Sequence, residues 1–416
     1  MEKMRRGEAR RIAAMYVLLH LAFWATWLYV GAYTANFILG LGFEKSETGI
    51  LMAVASLAAA TIQNFLASLA DRYEKTPLAS FLITFALIAL VSSCALYFFP
   101  QWPRLISGLL FAAVLIVVFM IQPFLPALAL RLQAAGLPVH FGLARGLGSG
   151  VFAANAFIAG VFLLHNPIRS FALLWTLPLF IFLLISLYFH RVELRLQQVR
   201  LQIELADNRP GLASLSTFAH RYPYYMYFLV GTVLLFLAFN LFYSFAIVHI
   251  RSVGGDEGMM GLVLALAAGT EAIFMPLYAY LRRRYHLNSV RCLQFAAFGF
   301  VLKAGLQAFL NTPAGMTYSQ LTQALGYAIY TPAYVDYTGE CMASEDQVKG
   351  QSLVATAIVI SNVLAAFIGG LWLSSYSAQS LRLLAFGLAL LGTSIVAYTA
   401  PKTAAHPSLA ALRFDV

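Results

Sequence analysis

Gly49 to Tyr73 reads GILMAVASLAAATIQNFLASLADRY, and Gly261 to Tyr285 reads GLVLALAAGTEAIFMPLYAYLRRRY. Both stretches open on glycine, share Ala53/Ala265 and Ala55/Ala267, and close on Arg-Tyr at Arg72-Tyr73 and Arg284-Tyr285. A second echo pairs AANAFIAGVFL (Ala153 to Leu163) with VLAAFIGGLWL (Val363 to Leu373). Each half of the 416-residue chain therefore reads as a copy of one six-helix unit.

Composition says what those units are made for. The chain is 61% hydrophobic and 11% charged, against about 25% charged in a soluble domain, which places it in a membrane. Apolar runs of about 20 residues match the hydrocarbon thickness, and their backbones are satisfied there only in helices or closed barrels. These runs do not alternate polar and apolar as barrel strands do. The fold class expected is an all-α membrane protein with twelve transmembrane helices in two pseudo-symmetric six-helix bundles. The spans fall at roughly 12–38, 46–70, 76–98, 104–132, 140–164, 168–189, 222–249, 257–282, 288–311, 315–341, 348–375 and 380–400. Residues 1–189 form the first bundle, 190–221 a cytoplasmic linker and 222–416 the second bundle. The linker reads HRVELRLQQVRLQIELADNRP from His190 to Pro210, a charged amphipathic helix stopped at Asn208-Arg209-Pro210.

Net charge is +10, but its distribution excludes a nucleic-acid surface. Most of the 27 lysines and arginines fall in segments assigned to one side, including Arg5, Arg10, Arg72, Arg131, Arg195, Arg221, Arg282, Arg291 and Lys402. Lys45, Arg104, Arg169, Arg251 and Arg382 fall on the other. The positive-inside rule then puts both termini in the cytoplasm and the chain in the inner (plasma) membrane. Cys94, Cys292 and Cys341 have no metal or redox spacing. The basic start leads into an aromatic-rich helix without a small-residue cleavage site, so it reads as the first span rather than a signal peptide. GLGSG, Gly146 to Gly150, has neither a preceding strand nor a P-loop lysine, which excludes a nucleotide site. Neither a nucleophile–base pair nor a metal cluster is visible, so an enzyme is not expected and no cofactor is implied.

Ionisable groups at membrane depth cost about 3 kcal/mol each on insertion scales and mark candidate sites. Glu271 and Lys303 sit near the middle of consecutive antiparallel spans and reach similar depth. They read either as a pair that opens and closes with protonation or substrate, or as a static tie between helices. Arg145 offers a rigid fork of donors to a carboxylate or paired hydroxyls, or else reaches back to the membrane surface. His20 lies within the first span and is a proton carrier or a packed side chain. Asp336 follows Tyr327, Tyr330 and Tyr334, whose spacing of three and four makes one stripe, lining a cavity or packing the bundle. Asn240 and Gln323 add hydrogen-bonding groups. Gly142, Gly146 and Gly150 at spacing four offer a face for close helix packing. Pro123, Pro126, Pro276 and Pro332 each remove a backbone donor and favour kinks.

These residues resemble the major facilitator superfamily, and within it the branch of lactose permease, the nucleoside–proton symporters and the phenylpropionate permeases. ASLADRYEK, residues 67–75, is similar to the superfamily's loop between helices II and III, with Asp71 and Arg72 on its Asp-Arg core. The resemblance implies that these two residues gate the cytoplasmic side. FGLARGLGSG, residues 141–150, resembles the pattern F-G-x-A-R-x-x-G, which puts Arg145 on a sugar-binding arginine and Phe152 where a tryptophan stacks on the ring. Glu271 matches a glutamate near the substrate, and Lys303 replaces an arginine. Two departures stand out. Pro126 occupies the region of a helix IV carboxylate, and Gln323 and Gly326 stand where the family carries a histidine and a glutamate.

The resemblance implies a secondary active transporter working by alternating access, a proton-coupled symporter of a small sugar or organic acid. Substrate contacts are expected from Arg145, Phe152, Glu271, Lys303, Gln323, Tyr327, Tyr330 and Asn240, and proton coupling from Glu271, Asp336 and His20. The partners are a small-molecule substrate, protons and the lipid bilayer, with the chain acting as a monomer driven by the proton gradient. Proton-driven efflux of amphipathic compounds and a non-transporting membrane sensor are the alternative readings.

Overall fold

The computed structural model describes residues 6–72, 76–200 and 215–405, and no strand occurs among them. The chain divides into two compact units, residues 1–206 and 207–416.

Unit 1 makes six passes. The first comprises α1 (Arg6–Trp27), a π-helical turn at Leu28–Ala32 and α2 (Thr34–Gly40). The second is α3 (Lys45–Arg72) and the third α4 (Leu78–Phe98). The fourth is divided into α5 (Arg104–Ile121) and α6 (Phe124–Ala134). The fifth is α7 (Phe141–His165), and the sixth is α8 (Ala172–Arg200) after a 3-10 turn. In unit 2 the short α9 (Leu215–Arg221) leads to a seventh pass made of α10 (Pro223–Tyr243) and α11 (Ala246–Arg251). The eighth is α12 (Glu257–Tyr285) and the ninth α13 (Ser289–Phe309). The tenth is broken into α14 (Pro313–Tyr318), a 3-10 turn at Ser319–Ala324 and α15 (Tyr327–Cys341). The last two are α16 (Ser344–Ser375) and α17 (Ala378–Ala404). Ten of these passes are long and apolar enough on their own to cross a membrane. The second and the interrupted tenth complete twelve.

The breaks have local causes. Pro123 brings no N–H to the ladder, and the fourth pass divides there. Pro276 and Pro332 lie inside unbroken helices. In the tenth pass it is Ser319–Gly326 that leaves the α-helix, not the proline. The linker expected at 190–221 also begins differently. α8 carries the sixth pass on to Arg200 without interruption. Glu193, 4% exposed, turns inward to accept the backbone N–H groups of Leu78 (3.1 Å) and Ala79 (2.8 Å). Those are orphan donors at the start of α4, where a carboxylate also meets the positive end of the helix. Arg131 lies 3.6 Å from the same carboxylate and donates to the Thr76 carbonyl. The rest of the linker, 201–214, lies outside the described residues, as do the side chains of Asp71 and Arg72.

The glycine face expected on the fifth pass is corrected by the packing. A β-carbon on Gly142, Gly146 or Gly150 would meet nothing within 4 Å. A β-carbon on Gly148 would lie 2.3 Å from Trp24 Cδ1. One large indole on α1 needs one gap, not a groove, and Gly148 supplies it. Gly148→Ala is expected to destabilise the protein by about 1–3 kcal/mol through overpacking. Gly146→Ala should change stability by no more than about 1 kcal/mol, in the favourable direction for a helix interior. Thermal unfolding of the two variants in detergent checks the contrast.

Candidate functional site

In unit 2 the polar residues converge on one buried chain. It depends on how closely α13 and the tenth pass approach. A β-carbon on Gly299 would sit 2.5 Å from the backbone nitrogen of Gly326. Only glycine lets these backbones touch, and the contact seats the 3-10 turn of residues 319–324 beside α13. In a 3-10 turn, side chains three apart lie one above the other, so Gln320 and Gln323 face the same way. Lys303, one turn beyond Gly299 and 5% exposed, meets Gln323 there.

Lys303 Nζ donates to Gln323 Oε1 and to Tyr243 Oη, the latter at 2.8 Å. The Tyr243 hydroxyl lies 2.8 Å from Gln320 Oε1 and 3.1 Å from Gln323 Oε1. Gln323 Nε2 then donates to Glu271 Oε1 on α12 at 2.5 Å. Lys303 and Glu271 are thus linked through Gln323, whose amide presents its oxygen to the ammonium and its nitrogen to the carboxylate. The ammonium also lies 4.8 Å from the Tyr243 ring centroid and 5.1 Å from that of Phe239. Such contacts are worth up to about 2 kcal/mol away from water. Tyr327 stacks on Phe239, with centroids 5.1 Å apart.

Unit 1 holds its cation in another way. Arg145 Cζ lies 3.9 Å from the centroid of the Trp24 ring, and Nη1 donates to Ser149 Oγ at 2.7 Å. No ion pair to Arg145 occurs among the described residues. Trp24, Trp27 and Phe152 follow in a row, with centroids 5.7 Å and 5.9 Å apart. The indole nitrogens of Trp24 and Trp27 are buried without hydrogen-bond partners. Tyr29 donates to Asn155 Oδ1 at 2.5 Å on the adjoining stretch.

Of the residues expected at a site, Glu271, Lys303, Gln323 and Tyr327 come together in unit 2, and Arg145 and Phe152 share the aromatic row of unit 1. Others lie apart. Tyr330 is fully buried in the bundle core, its hydroxyl 2.8 Å from Thr232 Oγ1. Asp336 pairs with Arg282 Nε at 2.6 Å and accepts from Tyr278. Arg282 also binds Glu340, which accepts from Ser289 at 2.5 Å, so Asp336 belongs to a separate network. His20 is 1% exposed, and its Nε2 lies 2.9 Å from the Tyr16 hydroxyl. Tyr16 gives its own proton to the Leu125 carbonyl, so His20 Nε2 is the donor, and Nδ1 is left buried without a partner. Asn240 is buried with its amide nitrogen unpartnered. Sequence reasoning missed Tyr243 and Gln320. Tyr243 ends an aromatic run, and Gln320 is revealed only by the 3-10 turn.

Twelve helical passes with ionic groups buried among them make an integral membrane protein. The chain matches the MFS_1-like family over residues 11–384 and belongs to it. It is a membrane transporter of the major facilitator type, not an enzyme. No curated protein sequence matches the chain. Among solved structures it resembles the nucleoside transporter NupG, with 13% identity, a TM-score of 0.69, and coverage of 93% of this chain and 98% of that one. It is also similar to a POT family transporter in complex with 5-aminolevulinic acid (12% identity, TM-score 0.67, coverage 94% and 96%). A third is a bacterial homolog of the human lysosomal transporter Spinster, inward-facing and occupied (12%, TM-score 0.63, coverage 97% and 98%).

The Gly299–Gly326 contact supplies a test of the geometry. Gly299→Ala places a methyl against backbone that has no rotamer to escape through. It is expected to cost about 1–3 kcal/mol and to separate Gln323 from Lys303. Gly305→Ala meets only the Phe386 ring edge at 3.2 Å, a side chain free to shift, and should cost less. Thermal stability of the two variants, side by side, gives the answer.

Proposed function

We propose that this transporter is a proton-coupled symporter that imports a small sugar or organic acid by alternating access. The observation that carries the reading is the continuous chain Glu271–Gln323–Lys303–Tyr243 in the membrane-embedded part of unit 2. A carboxylate and an ammonium joined through one neutral amide respond to each other. When Glu271 takes a proton, its pull on the Gln323 amide falls and Lys303 loses its counter-charge. That change in charge pairing is the event a proton gradient can drive. No cofactor takes part, and the chain works as a monomer in the inner membrane with both termini cytoplasmic.

Arg145 is the substrate anchor in this reading. Its flat face rests on Trp24 while Nη1 is held by Ser149, which leaves further guanidinium N–H groups for a carboxylate or paired hydroxyls. Phe152 and Trp27 supply ring surface beside it. The small polar ligands named for the structural neighbours, a nucleoside and 5-aminolevulinic acid, are in keeping with a site of this chemistry.

A thermal-shift screen of sugars, nucleosides and aromatic acids selects a substrate, which is then followed into liposomes with and without a pH gradient. Glu271→Gln is expected to lose accumulation driven by the gradient while retaining exchange of labelled for unlabelled substrate. Unchanged gradient-driven accumulation would remove Glu271 from the coupling role. Arg145→Lys should weaken the substrate-induced thermal shift, because an ammonium cannot both stack flat on Trp24 and offer a fork. A shift equal to that of the wild type would show that the anchor lies elsewhere.

A further inference from the structure

A small cavity in unit 2 is lined by Ala238 and Phe239 of α10 and by Phe300, Lys303, Ala304 and Gln307 of α13. It has room for one small occupant, since the centre of a water-sized sphere can move through about 10 Å³ of it. Its polar side chains present donors. Gln307 is 6% exposed, and its Nε2 is buried with no hydrogen-bond partner. Lys303 sits one turn earlier, so both side chains leave the same face of α13. An ammonium carries three N–H groups. Those of Lys303 reach Tyr243 Oη and Gln323 Oε1, which accounts for two of the three. The other lining groups are two phenylalanine rings and two methyls, and no carboxylate lines the space.

The occupant must therefore accept hydrogen bonds, be small, and ask for little in return. Water fits by size, but it brings two protons that need acceptors, and the lining side chains offer only the Gln307 amide oxygen. A halide ion accepts from several donors and donates nothing. We propose that this cavity is a chloride site, with one ion held between Lys303 Nζ and Gln307 Nε2. If Glu271 is the proton-accepting group, as read above, the ion supplies Lys303 with counter-charge during the part of the cycle when Glu271 is neutral.

The test uses the full-length protein in detergent, with chloride titrated against gluconate at constant ionic strength. The wild type should gain thermal stability with a saturable chloride dependence, and bromide should replace chloride. Gln307→Leu removes a donor that is unsatisfied without the ion, so the variant should fold as well as the wild type in gluconate. Its chloride midpoint should rise by about tenfold or more, the loss of one hydrogen bond to a charged partner. A bromide soak should place an anomalous peak between Lys303 and Gln307. A wild type indifferent to chloride, a Gln307→Leu variant that responds like the wild type, or a cavity occupied by water alone would overturn the site. None of these readouts requires transport. If Glu271→Gln keeps its proton coupling while the chloride response persists, the coupling role falls and the anion site stands.

Discussion

An ammonium group buried in an apolar bundle sets the terms for the second half of this protein. Lys303 is almost wholly removed from solvent, and an isolated charge in such surroundings is far too costly to keep. Its three donors must be met and its charge balanced. One amide oxygen, that of Gln323, reaches the lysine directly, and that of Gln320 holds Tyr243, the lysine's other acceptor. The tenth pass supplies both where it leaves the α-helix. The 3-10 turn at Ser319–Ala324 lays Gln320 and Gln323 together, and the Gly299–Gly326 approach brings that turn against α13. A broken pass, two glycines without clearance and a pair of glutamines thus meet at one buried charge.

The duplication makes the asymmetry of the two units visible. In the paired stretches, Glu271 falls opposite Ala59, a buried methyl at 2% exposure. Asn155, which bonds Tyr29 in unit 1, falls opposite Ala365, also buried. Both copies keep the helix and its packing, while each polar group belongs to one copy only. Unit 1 stabilises its cation with an aromatic face and a serine hydroxyl, and unit 2 stabilises its own with an amide, a phenol and a carboxylate reached through the amide. The cation linked to a carboxylate through an amide therefore lies in the second copy, and the cation stacked on an aromatic row in the first.

How much of this could be read from residues alone follows from the physics of each element. Twelve apolar stretches announce themselves by length, since each must span the same hydrocarbon thickness. Glu271 and Lys303 are conspicuous because charge is rare there, and Gln323 was legible through its place in a family pattern. Tyr243 was not, because a tyrosine closing YYMYFLVGTVLLFLAFNLFY has the look of any interfacial ring. The tyrosine stripe was half legible. Tyr327 stacks beside Phe239, whereas Tyr330, one turn on, turns into the core towards Thr232. Asp336 was legible as costly but not as partnered, since Arg282 reaches it from another helix. The glycine pattern misled for a similar reason. Spacing identifies a face, but which glycine matters depends on where the neighbouring helix has placed Trp24.

In the proposed proton coupling, Gln323 is the joint between the two charges. A histidine there would add a third titrating group between Glu271 and Lys303, and a carboxylate would lock the lysine by direct pairing. An amide does neither. It is neutral, it has one accepting and one donating end, and its orientation is fixed only while both neighbours keep their charges. With Glu271 ionised, the amide nitrogen faces the carboxylate and the oxygen faces the ammonium, which is the arrangement observed. With Glu271 neutral, the carboxyl group can itself donate, and the preference for that orientation weakens at both ends together. One proton on α12 is then felt at α13 and at α10 through Tyr243 without either helix carrying a titrating group in contact with it. In the proposed coupling, then, the titration rests on Glu271 and Gln323 transmits it.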